Sequence, residues 1–101
     1  MFVHVSSHGV VSLEAREDFR AFELRSELQG EALAHALHGV AERDGQGFAW
    51  VLAGWLEEQL TQQPPSPGWR TDFEAMLAYA QRQGWWRGPP APCVRAHVHG
   101  A

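Results

Sequence analysis

Lysine is missing from this chain, and its positive charge comes from eight arginines that are spread along the sequence rather than clustered. Twelve acidic residues outnumber them, so the formal net charge is −4 with histidine neutral. Proteins that bind nucleic acids neutralise phosphates with a clustered basic face. The charge pattern therefore argues against nucleic acid as a partner.

Cysteine and long apolar runs are also scarce. Cys93 is the single cysteine, which excludes an internal disulfide and fits a reducing compartment. No stretch approaches the roughly 18 apolar residues that cross a bilayer, and no basic segment precedes an apolar run near the first residue. We expect a cytoplasmic protein with no membrane partner.

The length and composition are those of one folded domain. A fold of 101 residues removes roughly two-thirds of its unfolded surface from water. Hydrophobic residues make up 45% of the chain and charged residues 20%, which is typical of globular proteins and unlike disordered ones. We expect a single domain over residues 1–101 whose core needs neither a disulfide nor a structural metal.

Several segments have the pattern of β-strands. Phe2–Val5 alternates, turn residues follow at 6–9, and 10–13 resumes a β-rich run, so a hairpin is expected. Residues 19–25 fit either a strand or a helix face, and a strand is favoured. Residues 93–99 alternate again and predict a terminal strand.

Two helices are expected in the middle of the chain. Ser26-x-x-Gln29 has the form of a capping box, and the apolar spacing behind it predicts an amphipathic helix that ends near Gly39. After loop residues 43–47 and an apolar run, leucines at helical spacing predict a second helix from near Ala53. The proline-rich segment 63–68 ends it.

A third helix has the clearest pattern. Thr71-x-x-Glu74 is a second capping box, and Gly84 stands where a left-handed residue would end the helix. One face of this helix is apolar and carries Trp69, Phe73, Met76, Leu77 and Ala80.

Strands at both ends of the chain with helices between them predict an α+β fold. We expect a small antiparallel or mixed sheet, built from the N-terminal and C-terminal strands, with two or three helices packed on one face.

Histidines provide the main candidate metal ligands. His97 and His99 share one face of the terminal strand, about 7 Å apart, which is within reach of a shared zinc ion. His4 becomes a third ligand if the first and last strands are neighbours. His35 and His38 lie on adjacent helical turns, opposite the apolar face, and are interpreted as solvated.

Cys93 is the one candidate nucleophile. It shares a strand face with Arg95 and His97, which could stabilise a thiolate. No nucleophile elbow or glycine-rich turn accompanies it, so we interpret Cys93 as an inert small apolar residue or an exposed thiol.

Aromatic residues are abundant, with five tryptophans, five phenylalanines and one tyrosine. This is more aromatic area than small helices hide, and aromatic residues with arginine are enriched in protein interfaces. The candidate interface or pocket residues are Trp50, Trp55, Tyr79, Trp85, Trp86 and Arg87.

Two motifs near the C-terminus are M-x-x-Y-A-x-x-x-G-W, from Met76 to Trp85, and R-A-H-V, from Arg95 to Val98. They resemble the ends of a group of short bacterial proteins that share this helix, a Gly-Trp turn and a terminal strand. The resemblance covers Trp69 to His99 and implies a standalone small domain, with no activity, cofactor or ligand attached to it.

The sequence has no phosphate-binding glycine loop, Cys-x-x-Cys, His-Glu-x-x-His or paired carboxylates, so no catalytic residue is nominated. We expect a non-enzymatic interaction protein, in particular a homodimer. One alternative is a zinc-binding protein that uses His4, His97 and His99. The other is a small-molecule-binding module or enzyme with a pocket walled by Trp50, Trp55 and Trp85.

Overall fold

The computed structural model describes residues 1–100 and contains a mixed sheet of seven strands with three helices. The helices are α1 Gly30–Ala36, α2 Ala53–Gln62 and α3 Trp69–Gln83. The strands are β1 Phe2–Val5, β2 Val11–Glu14, β3 Glu23–Ser26, β4 Ala41–Arg43, β5 Phe48–Leu52, β6 Trp86–Arg87 and β7 Cys93–Gly100.

The sheet has the strand order β2-β1-β3-β7-β5-β4, and β6 also pairs with β7. β1 is antiparallel to β2, as the expected hairpin requires, but parallel to β3, which is itself parallel to β7. β5 and β6 run antiparallel to β7, and β4 runs antiparallel to β5. The α+β class and the mixed sheet are confirmed, and β7 is the strand to which β3, β5 and β6 all bond.

Side chains alternate between the two faces along each strand. One of these faces is buried and forms the core. Its buried residues join those of all three helices in a single apolar cluster. Burying one Leu, Val or Phe side chain stabilises a fold by roughly 1.5–3 kcal/mol. The cluster includes Val3, Val5, Leu24, Val51, Val94 and Ala96 from the strands, Leu33, Leu56, Leu60, Phe73 and Met76 from the helices, and Leu37 just after α1.

Both capping-box predictions are wrong. The hydroxyl of Ser26 accepts a hydrogen bond from the N–H of Leu28 and donates one to its carbonyl, so it closes a tight turn before the helix. α1 then begins at Gly30, without a side-chain cap, and ends at Ala36 rather than near Gly39. α3 begins at Trp69, so Thr71 lies inside its first turn.

The end of α3 agrees with the sequence. Gly84 is left-handed, with φ 78°, and donates its N–H to the carbonyl of Gln81. The N–H of Trp85 bonds the carbonyl of Ala80 at 2.8 Å. These bonds satisfy carbonyls that the helix end would otherwise leave without partners. After Gly84 and Trp85 the chain enters β6, where Trp86 pairs with Val94 of β7.

In the described chain, residues 1–100, no helix is long and apolar enough to span a bilayer.

Candidate interaction surfaces

The second face of the sheet, which we call the open face, carries polar and aromatic side chains instead of the core residues. On this face the side chains of neighbouring strands lie side by side, for example Phe48 beside His97 and Trp50 beside Arg95. Its residues are half-buried or exposed except for Cys93. They include Phe2, His4, Glu23, Arg25, Phe48, Trp50, Arg95, His97 and His99.

Arginines stack on aromatic rings across the open face. The guanidinium carbon of Arg25 lies 3.9 Å from the ring centroid of Phe2, and that of Arg95 lies 3.8 Å from Phe48. Such contacts contribute about 0.5–1 kcal/mol each at exposed sites and more when water is excluded. They hold the two guanidinium groups over the rings.

Asp44 fixes the β4–β5 hairpin and anchors Arg95. Its carboxylate accepts hydrogen bonds from the backbone N–H groups of Gln46, at 2.8 Å, and Phe48, at 3.2 Å, and from the guanidinium of Arg95, at 3.0 Å. The bond from Gln46, followed by those from Arg95 and Phe48, holds the pKa of Asp44 below its ordinary value. Asp44 is therefore ionised wherever the hairpin is formed at neutral pH.

The three candidate zinc ligands do not all come together. The rings of His97 and His99 lie 4.4 Å apart, but β3 separates β1 from β7. Arg25 stands in the row between His4 and His99, which puts those two histidines about 10 Å apart, or two strand spacings.

Carboxylates already engage these imidazoles. His99 Nε2 lies 2.7 Å from Glu23, whose pKa is lowered mainly by a hydrogen bond from Arg25, and His4 Nε2 lies 3.5 Å from Glu27. Across residues 1–100, no three His, Cys, Asp or Glu side chains are grouped so that they could hold a metal ion. The zinc hypothesis thus has only two of its three histidines side by side.

The candidate aromatic residues divide between two regions rather than walling one pocket. Trp50, Trp55 and Trp86 are half-buried, and the last two pack against the core. Tyr79 and Trp85 remain 49% and 41% exposed. Their rings form an edge-to-face pair with centroids 5.9 Å apart.

The Tyr79–Trp85 pair borders a groove between α3 and the loop of residues 17–22, which we call the α3 groove. One part, of about 470 Å³, is lined by Phe19, Ala75, Met76 and Tyr79. The adjoining part is lined by Phe22 and Trp85 as well. The groove is mixed in character, since Glu17, Arg20 and Asp72 line it as well. Exposed aromatic side chains beside such a groove are typical of contact surfaces.

One flank of α3, which we call the α3 flank, presents four exposed residues along this groove. They are spaced by three, four and three residues, so they form a continuous line over adjacent turns. In order they are Asp72, Ala75, Tyr79 and Arg82. Arg82 lies 5.8 Å from the ring of Tyr79, and Asp72 lies in the first turn of the helix.

A second concavity, the Trp50 cavity, has a volume of about 520 Å³ and lies where the end of α1 meets β4, β5 and β6. Leu37, Val40 and Leu52 supply apolar wall. Trp50 and Arg87 both line it, with the guanidinium of Arg87 5.3 Å from the Trp50 ring.

Cys93 also lines this cavity, although only 1% of it is exposed. Its Sγ lies 3.2 Å from the carbonyl of Ala91, to which the thiol donates, and it accepts from Arg87 at 3.4 Å. Arg87 is thus its cationic neighbour, in place of the Arg95 and His97 that the strand face suggested.

Sequence reasoning found Tyr79, Trp85, Trp50 and Arg87, but it missed the rest of both surfaces. Phe19 and Phe22 were considered only as a strand or a helix. The α3 flank was not predicted as a surface, because Tyr79 was its one member among the candidate residues. The three-four-three spacing was nevertheless readable from the sequence.

Comparisons of the chain with protein-family models, with curated proteins and with solved structures gave no match.

Proposed function

We propose that this protein is a non-enzymatic interaction domain that works as a homodimer, joined through the α3 flanks of two copies. The observation that carries the proposal is that this flank is complementary to itself. A two-fold contact brings the same patch of both copies together, so each residue must suit its own opposite number.

The complementarity appears when two α3 helices are placed antiparallel about a two-fold axis near position 77. Asp72 of one copy then lies opposite Arg82 of the other, and Ala75 lies opposite Tyr79. Both pairs occur twice by symmetry. The line from position 72 to position 82 is about 15 Å long at the rise of an α-helix.

Size complementarity accompanies the charge complementarity. Ala75 is the small residue of the flank and lines the α3 groove with Phe19 and Met76. Each Tyr79 ring would therefore enter the groove of the other copy. The space over Ala75 can hold the Tyr79 ring of the other copy, whereas a large side chain at position 75 would fill that space.

Burial of Tyr79 supplies most of the affinity in this arrangement, and the charges set its direction. An exposed ion pair contributes only about 0.2–1 kcal/mol. Tyr79 is 49% exposed, so its further burial contributes roughly half of the 1.5–3 kcal/mol of a fully buried large side chain. A parallel arrangement would oppose Asp72 to Asp72 and Arg82 to Arg82, so the charges select the antiparallel one.

The α3 flank is only about 15 Å long. It is therefore a small contact compared with stable interfaces, which usually bury about 800 Å² on each partner. We therefore expect a dimer with a dissociation constant in the micromolar range. The loop of residues 17–22 and Trp85 lie at the two sides of the α3 groove and extend the contact beyond the helix.

Sedimentation equilibrium of the untagged protein, from micromolar to millimolar concentration, tests the proposal. Ala75→Arg fills the groove and should convert the dimer to a monomer. Gln81→Arg makes the same change of charge on the opposite flank of α3 and should leave the dimer intact. Circular dichroism establishes that both variants are folded.

A wild-type protein that stays monomeric throughout the range would contradict the proposal, as would an Ala75→Arg variant that dimerises normally. Zinc measured on the same samples separates this proposal from the metal hypothesis. A monomer carrying one zinc ion per chain would move the function to His97 and His99.

A further inference from the structure

We propose that the Trp50 cavity is a binding site for a small organic carboxylate with an apolar or aromatic body. The inference is independent of the dimer, because no residue that lines the cavity belongs to α3.

The cavity has the size and walls of a ligand site. Its volume of about 520 Å³ lies within the range of about 300–1,000 Å³ that is usual for small-molecule pockets. Apolar wall comes from Leu37, Val40 and Leu52, and Ala91 completes it beside the thiol. The Trp50 ring adds a flat surface on which a planar ligand can stack.

Arg87 provides the polar contact that orients a ligand. In the described chain its guanidinium contacts the ring of Trp50, the thiol of Cys93 at 3.4 Å and the carboxylate of Glu42 at 4.0 Å. The thiol is a weak acceptor, and the Glu42 contact is too long for a hydrogen bond. Most of the guanidinium N–H donors therefore remain available for a carboxylate.

A guanidinium binds a carboxylate through two parallel hydrogen bonds, which fixes its direction as well as its distance. Held in this way at Arg87, the carboxylate would leave the body of the ligand against Trp50 and Leu52. Glu42 offsets part of the positive charge of Arg87, but Arg43 lines the cavity too.

Phenylacetate is a suitable probe, and phenylacetamide is its neutral match. The five tryptophans give five indole N–H signals in a ¹H–¹⁵N spectrum, and the Trp50→Phe variant identifies the signal of Trp50. We expect phenylacetate to shift that signal in a saturable way at millimolar concentration. Phenylacetamide should bind about tenfold more weakly, because it lacks the charge-assisted hydrogen bonds.

Two variants locate the site. Arg87→Gln should weaken phenylacetate binding about tenfold and leave phenylacetamide unaffected. Arg70→Gln is the matched control, since Arg70 likewise lies near a tryptophan ring, 4.6 Å from Trp69, and a glutamate, Glu57, but does not line the Trp50 cavity. It should bind both probes as the wild type does.

The proposal is overturned if phenylacetate leaves the Trp50 signal in place up to its solubility limit. It is also overturned if the acid and the amide bind equally, or if Arg70→Gln weakens binding as much as Arg87→Gln. Ala34→Phe, at an exposed position of α1 that lines the cavity, should abolish binding of both probes. Unchanged binding by this variant would place the probes elsewhere.

Discussion

At the scale of single residues, Arg95 joins the hairpin of β4 and β5 to the central strand. Its guanidinium stacks on Phe48 and donates to Asp44, and the Nε atom is buried with no hydrogen-bond partner in residues 1–100. A buried donor without a partner costs roughly 1–3 kcal/mol. The contacts with Asp44 and Phe48 have to offset that cost, which makes Asp44 important to the hairpin.

The lowered pKa of Asp44 gives a pH-dependent prediction. A carboxyl whose pKa is lower in the folded state stabilises the fold fully above its unfolded pKa, about 3.9 for Asp. This contribution is lost as the pH falls through the folded value. We expect Asp44→Asn to reduce the free energy of unfolding at pH 7 and to have a smaller effect at acid pH.

Urea unfolding of both proteins over a pH series measures this difference. Asp18→Asn serves as the control, because Asp18 accepts a backbone hydrogen bond from Arg20 at an exposed site. A loss for Asp44→Asn that stays constant from neutral to acid pH would show that its ionised form is not what stabilises the hairpin.

At the scale of elements, the parts of the chain with strong local patterns were predictable. The N-terminal hairpin, the terminal strand and the end of α3 at Gly84 all follow from alternation or from turn chemistry. β4 and β6 have only three and two residues and exist because β5 and β7 pair with them. No local signal could have revealed them.

α2 begins at Ala53 as predicted, but the predicted starts of α1 and α3 were wrong. The serine of a capping box can form hydrogen bonds with other backbone groups instead. The hydroxyl of Ser26 bonds the N–H and the carbonyl of Leu28. The candidate sites depended in the same way on pairing across the sheet. His4 was a sound ligand candidate by alternation, but the strand order that inserts Arg25 beside it cannot be read from sequence.

Two glycines provide a matched prediction about helix stability. Gly84 has φ 78°, so Gly84→Ala should lower the free energy of unfolding by about 1 kcal/mol. Gly54 lies in the first turn of α2 with no close neighbour for a Cβ atom, so Gly54→Ala should raise it by about 0.5 kcal/mol. Denaturant unfolding measures both. Equal effects of the same sign would contradict this assignment of the two backbones.

At the scale of the whole molecule, the two proposed surfaces lie on separate elements. The α3 flank is available to a second copy, and the Trp50 cavity opens among β4, β5 and the end of α1. The outermost strands of the six-strand order, β2 and β4, have four and three residues, so they offer little edge for pairing between sheets. Helix pairing is the better route to a dimer.

The direction of the helix pairing can be tested by charge reversal. Asp72→Arg puts an arginine opposite Arg82 at both symmetric contacts, and Arg82→Asp likewise opposes two acids. Each change should weaken the homodimer by roughly twofold to thirtyfold, from two pairs of about 0.2–1 kcal/mol each. Each also opposes the helix dipole by about 0.3–1 kcal/mol, so thermal unfolding of both variants is measured first.

The most direct test of the homodimer is sedimentation of these two variants, separately and as an equal mixture at low salt. In the antiparallel arrangement the mixture restores opposite charges at both contacts, so two proteins that are weak dimers alone should form a heterodimer at least as stable as the wild-type homodimer. A mixture that sediments as the sum of its components would contradict the pairing of α3 flanks.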